Sequence, residues 1–354
     1  MLTRLRCPCT GTTTWHRRVP EGEAPHWRRE ECVALVASAR CRPTDATVPS
    51  QIKRKVLRQD DGPLQAMAGM LFADNSPLDL AALAPEFYNP PGNMFYTLPL
   101  GALSPYGEEA AALVRSVAKE GALVPQAFAD DSAASFRAYG GRLNSLSKRF
   151  LENVDAGKRF PSCGVVGDTQ AHSLVRVPTV VARLAGSAAC RDAVSDAVRV
   201  HQADQAPVDY AQAFAAILER VVLGSSVADA LKWAAFSKEN PLYTEQRTEA
   251  ANALAELDTD PRKIVSKYGI SCSLPGPFVG PLALVFAAGG DFKAAVRANL
   301  MAGGDNCSRA AVVGSLCGAS GGMASLPPDW TAKVTGWAAL EAAADKIVTD
   351  AGYV

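Results

Sequence analysis

Excess charge is what this chain most plainly lacks. Its 36 Lys and Arg residues balance 36 Asp and Glu, and charged residues make up only 20% of the 354 positions. A nucleic-acid binder carries a clear basic excess, so that class is not expected. Strict alternation of apolar and polar residues, the mark of half-buried strands, is nearly absent, and no repeat of fixed period occurs. No Ser/His/Asp triad order, phosphate-cradling glycine loop or dinucleotide fingerprint appears. The nine cysteines contain no repeated CxxC pair. In a chain this long they read as reduced, intracellular thiols rather than a disulfide framework. Cys7, Cys9, His16, His26, Cys32 and Cys41 match none of the usual zinc-ligand spacings.

Two stretches, 270–290 and 310–328, lack charge altogether. Length alone would admit a membrane span. Pro275, Pro277 and Pro281 interrupt the first, and glycine and serine fill the second, so both are expected as buried elements of a helical core. Hydrophobic residues reach 48%, ample for such a core. The first twenty residues hold Arg4, Arg6, Arg17 and Arg18 and no acid. Two readings stay open for residues 1–60: an organelle-targeting segment, which is Arg-rich and acid-poor, or an unstructured extension. The expected location is therefore intracellular, cytoplasmic or organellar.

From residue 65 an apolar helix is expected to run into Asp74. Five prolines between 77 and 99 then predict a long structured loop over 75–103. Ser104-Pro105-Tyr106-Gly107-Glu108 opens another helix: Ser caps, Pro takes the first position, and acid suits the positive end. Helical periodicity recurs over 126–139, 173–184, 189–201, 207–223, 226–235, 244–256 and 261–268. It continues over 282–288 after a Pro-rich lead at 272–281, then over 292–301 and from Lys333 onward. The expectation is one all-α domain over 61–350.

The densest polar signal is Gly303-Gly304-Asp305-Asn306-Cys307-Ser308-Arg309, followed by an uncharged run of small residues. Glycines permit a tight turn, and Asp or Asn caps the helix that follows. Asp305 and Ser308 share a face. A polar cluster at the end of a buried helix suits a ligand or metal, and it also suits a simple cap. Cys307 in that first turn reads either as an activated thiol or as a small buried hydrophobe. His172 reads as a general acid or base or as a structural residue. His201, ending a helix, reads as a favourably placed cation.

Together these residues resemble the ADP-ribosylglycohydrolase family, in the branch of the J-type lens crystallins, over residues 64–334. The resemblance is carried by Ser104 to Glu108, Gly167-Asp168-Thr169-Gln170, Ser271-Cys272-Ser273-Leu274-Pro275-Gly276, Gly303 to Arg309, and Leu326-Pro327-Pro328-Asp329-Trp330. It implies an all-α fold and, in active members, two Mg²⁺ ions held by an early Thr-Asp-Asp cluster and a late Asp-Thr-Asp-Ser/Thr cluster. Such ions need hard oxygen ligands. Here Ser104-Pro105-Tyr106 replaces the early cluster and Cys307 replaces the second late Asp. Asp305 and Ser308 are left as the metal candidates, for one Mg²⁺ or none. Glu108 and Glu109 stand nearby as potential substitutes, unless they are solvated residues of a helix start.

The resemblance also implies an ADP-ribose-like small molecule or ADP-ribosylated substrate as partner, with neither nucleic acid nor membrane. Asp74, Tyr106, Asp168 and Gln170 are the substrate-binding candidates, Asp305 and Cys307 the catalytic ones. Asp168 also reads as an ordinary turn residue. Three functions follow: hydrolysis or binding of an ADP-ribosyl or related glycosidic ligand at a depleted two-metal site, a non-catalytic crystallin-like role, or thiol chemistry at Cys307.

Overall fold

A computed structural model describes residues 98–352, together with Phe87. Among them are fourteen α-helices: α1 (Pro105–Glu120), α2 (Pro125–Ala138), α3 (Ser145–Asp155), α4 (Val177–Leu184), α5 (Cys190–Arg199), α6 (Gln205–Val222), α7 (Val227–Phe236), α8 (Thr244–Leu254), α9 (Pro261–Tyr268), α10 (Gly276–Ala287), α11 (Phe292–Ala302), α12 (Asn306–Gly321), α13 (Pro328–Thr331) and α14 (Trp337–Asp350). The only strand-like pairings among the described residues are isolated bridges, Val165 with Gln202 and Gln170 with Ser273. The all-α expectation holds. The N-terminal segment, the boundary near residue 61 and Asp74 lie outside the described residues.

Local chemistry sets most of the helix starts. Ser104 caps α1 by accepting from the Gly107 amide at 3.1 Å, with Pro105 first in the helix. Residues 173–184 divide into a 3-10 turn, Ala171–Arg176, and α4. Pro178 sits in the first turn of α4, where a missing N–H costs nothing. The last long helix begins at Trp337 rather than Lys333, because Gly336 takes a left-handed conformation at φ 73°.

Two departures come from packing. α3 was hidden by its polarity: only Leu146, Ser147 and Phe150 are buried, a stripe too narrow to stand out in sequence. α10 starts six residues before its expected position and carries Pro281 inside it. An interior proline costs about 3 kcal/mol. Burial of Phe278, Val279, Leu282, Leu284 and Val285 offsets it.

α12 is the central element. It packs against α10, α11, α6, α1 and the 3-10 turn, and thirteen of its sixteen residues are buried, on every face. A helix apolar all round belongs in a core. No helix among the described residues is long and apolar enough to cross a membrane.

Candidate functional site

Four backbone segments meet at the start of α12. Gly304, at φ 62°, is forced by close approach: a Cβ there would lie 2.4 Å from the Ile270 carbonyl oxygen. The Asp305 amide donates to that same oxygen at 2.8 Å. Two residues along the same loop, Cys272 accepts from the Ala171 amide at 2.9 Å. The loop that leads into the 3-10 turn is fixed by Asp168. Its Oδ1 accepts from the Gln170 amide at 3.1 Å and from Gln202 Nε2 at 3.0 Å, and Gln202 Nε2 also donates to the Gln170 carbonyl at 2.9 Å.

Asp305, Ser308, Cys307, Tyr106, Asp168 and Gln170 are thus drawn toward one locus. Asp305 is half-buried and caps α12, its Oδ1 accepting from the Ser308 amide at 3.3 Å. The Ser308 hydroxyl, fully buried, donates to the Asp305 carbonyl at 3.1 Å. Cys307 is 4% exposed and packs in a small cluster with Tyr106, Ala110, Val175 and Ala311. Cys272, half-buried beside that cluster, donates its thiol to Gln170 Oε1 at 3.1 Å. Burial, followed by the charge of Asp305, pushes the Cys272 thiol up to about 11, so it stays protonated at neutral pH.

Beneath this locus lies a buried ionic network that sequence inspection missed. Tyr106 stacks on His172 with ring centroids 4.7 Å apart. His172 Nδ1 lies 3.0 Å from Glu109 Oε1. Glu109 also accepts from Arg176 Nη2 at 3.1 Å and from Asn144 Nδ2 at 2.7 Å, and Arg176 Nε donates to His201 Nδ1 at 3.2 Å. All four members, Glu109, His172, Arg176 and His201, are 0–1% exposed. Burial alone would raise the Glu109 carboxyl, but the charges and hydrogen bonds of His172 and Arg176 outweigh it and hold the group below its ordinary value.

Two sequence expectations are corrected here. Glu109 is not a solvated helix-start residue. His201 is not a cation at a helix end: it lies among Phe128, Phe136 and Phe150, and burial, then the Arg176 charge, keeps it neutral. One signal could have exposed the network, namely Glu109 and Arg176 each set in a run of apolar and small residues.

Among the described residues, the donor set does not fit a pair of magnesium ions. At the α1 start, the Pro105 side chain has no donor and the Tyr106 ring is engaged with His172. Glu108 is bound to Arg115, and Glu109 is sealed in its network. At the α12 start, Asp305 offers one carboxylate and Cys307 a soft thiol, a poor partner for a hard cation. Among the described residues no three His, Cys, Asp or Glu side chains gather as a metal-binding group.

Comparison with known proteins adds four findings. The profile of the ADP-ribosylglycohydrolase family matches residues 39–353. Crystallin J1A of Tripedalia cystophora is 27% identical over 269 residues, which cover 71% of this chain and 80% of that protein. Crystallin J1B of the same organism is 26% identical over 190 residues, 54% of this chain and 57% of that one. A solved structure, described as an ADP-ribosylglycohydrolase-related protein complex, superposes with a TM-score of 0.61 at 18% identity, covering 91% of this chain and 97% of that chain.

Proposed function

The chain belongs to the ADP-ribosylglycohydrolase family, and from that premise we propose that it binds an ADP-ribosyl or related glycosidic ligand at the start of α12 and has given up two-metal turnover. The observation that carries this reading is the fate of the acids. Asp305 stays a half-buried carboxylate at the start of α12, while Glu109 is sealed against Arg176 and His172. Cleaving a glycosidic bond ordinarily takes two carboxyl groups, one to protonate the leaving group and one to activate water or attack. Asp168, the other acid here, is 4% exposed and is held by Gln170 and Gln202.

In this reading Asp305 accepts hydrogen bonds from ligand hydroxyls. The Gln170 amide nitrogen donates to the ligand, since its oxygen already takes the Cys272 thiol. Asp168 sets the loop that aims Gln170. Tyr106 and Cys307, both buried, form the wall rather than reaching for the ligand. Similarity to crystallins J1A and J1B supports a role without turnover.

Slow hydrolysis is the second reading, favoured by the partial exposure of Asp305, whose carboxylate can act as a general base on water. Thiol chemistry is disfavoured, because Cys307 is buried and Cys272 is held as a thiol.

Calorimetry with ADP-ribose, beside a product assay on ADP-ribosylated peptides, separates the two readings. Saturable binding without product, lost in Asp305→Ala, is the expected result. Product formation that disappears in Asp305→Ala would replace binding with hydrolysis.

A further inference from the structure

The segments that carry Gln170 and Cys272 run side by side. Gln170 forms an antiparallel bridge with Ser273, and the Ala171 amide donates to the Cys272 carbonyl at 2.9 Å. This pairing joins two side chains 102 positions apart in sequence: the Cys272 thiol donates to Gln170 Oε1 at 3.1 Å. The Gln170 backbone is held at both of its polar groups, its amide donating to Asp168 and its carbonyl accepting from Gln202. Its side-chain nitrogen differs from the sealed Nε2 of His172. It makes no hydrogen bond among the described residues and is open to solvent, on a side chain that is half-buried. A donor of that kind is free to meet a ligand.

A carboxamide can turn end for end with almost no change of shape, exchanging acceptor for donor. Its neighbour's protons decide which end points inward. A thiol has one proton to give, and only while it is not ionised. Cys272 keeps that proton, because burial, then the charge of Asp305, pushes the thiol up to about 11. The Tyr106 hydroxyl bonds to the same sulfur, which leaves the thiol proton for the Gln170 oxygen. Sulfur also packs against the apolar cluster of Tyr106, Val175 and Ala311, as a larger and softer atom than a hydroxyl oxygen. Among the described cysteines, Cys163, Cys190, Cys307 and Cys317 are buried and Cys272 is partly exposed.

We propose that Cys272 is a positioning residue of the α12 site: its S–H holds the Gln170 oxygen, so that the amide nitrogen is presented to the ligand as a fixed donor. The assignment rests on the proposed binding of an ADP-ribosyl or related ligand there. It also narrows the ligand's chemistry. The group that meets Gln170 is an acceptor, such as a phosphate or carbonyl oxygen, since an ammonium group would set donor against donor.

Two readouts on the full chain test this. Infrared spectroscopy follows the thiol proton without any ligand, because the S–H stretch lies apart from other protein bands and drops in frequency on hydrogen bonding. The component that Cys272→Ala removes should move to higher frequency in Gln170→Leu. Calorimetry with ADP-ribose follows the consequence. Cys272→Ala frees the carboxamide to turn and should weaken binding about fivefold, the worth of one hydrogen bond. Cys272→Ser keeps a donor and should recover part of that loss, with both variants melting close to the native chain. An S–H band unmoved in Gln170→Leu, native affinity in Cys272→Ala, or equal losses in the two variants would overturn the assignment to Cys272 while native binding stands. A native chain that binds no ADP-ribose would overturn the binding reading, and the positioning role with it.

Discussion

At Glu109 a carboxylate is held out of water between His172, Arg176 and Asn144. Replacing it with Gln leaves the Arg176 charge buried without its counter-charge, a change that costs about 3–5 kcal/mol. Chemical denaturation of Glu109→Gln should therefore show a large loss of stability. His201 adds a pH signature. It is neutral in the fold and takes up a proton in the unfolded chain below its ordinary 6.5, so the unfolded state binds more protons there. Stability should fall as pH drops below 6.5. Glu109 acts in the same direction at lower pH, because its depressed pKa makes a contribution present above 4.5 and lost as pH falls through the folded value. Unfolding measured across this range should be visibly flatter in His201→Phe, even though that variant is less stable overall. Sequence could not show which of two adjacent glutamates turns inward, because the partners of Glu109 lie 63 and 67 positions away. Asp305, by contrast, was legible. Its role as a cap depends on its immediate neighbours, two glycines before it and Ser308 after it.

The start of α12 carries a helix cap and, in the proposed reading, the ligand-binding carboxylate, and two substitutions separate these roles. Asp305→Asn keeps a side-chain oxygen for the Ser308 amide and should change stability by no more than a few tenths of a kcal/mol, whereas Asp305→Ala should lose about 1 kcal/mol. Both remove the charge, so both should lose ADP-ribose binding. If Asp305→Asn binds normally, the carboxylate is only a cap. Gly304→Ala is the steric counterpart: its Cβ would press on the Ile270 carbonyl at positive φ, at a cost of about 1–3 kcal/mol. Helices with local start signals, such as α1 with Ser104 and Pro105, could be read from sequence. α3 and α10 could not, since one buries too narrow a stripe and the other tolerates Pro281 only because its neighbours bury it on every side.

Across the whole molecule, the fold is the family's. A chain 18% identical to a solved structure still superposes on it with a TM-score of 0.61, because packing of apolar helix faces survives extensive substitution. Site chemistry depends instead on the identity of single side chains. In the proposed reading, Ser104-Pro105-Tyr106 and Cys307 stand where hard oxygen donors would be needed, on a scaffold that keeps the family's fold. That reading rests on the motifs. The ionic network beneath Tyr106 was not legible there, since it joins α1 to the 3-10 turn only after folding. The central claim is that ligand binding at Asp305 has become independent of divalent ions. Calorimetric titration with ADP-ribose in excess Mg²⁺, and again in a chelator, tests it most directly. The account predicts the same saturable affinity in both, and its loss in Asp305→Ala. Binding that requires Mg²⁺, or saturation by two equivalents of the ion alone, would contradict it.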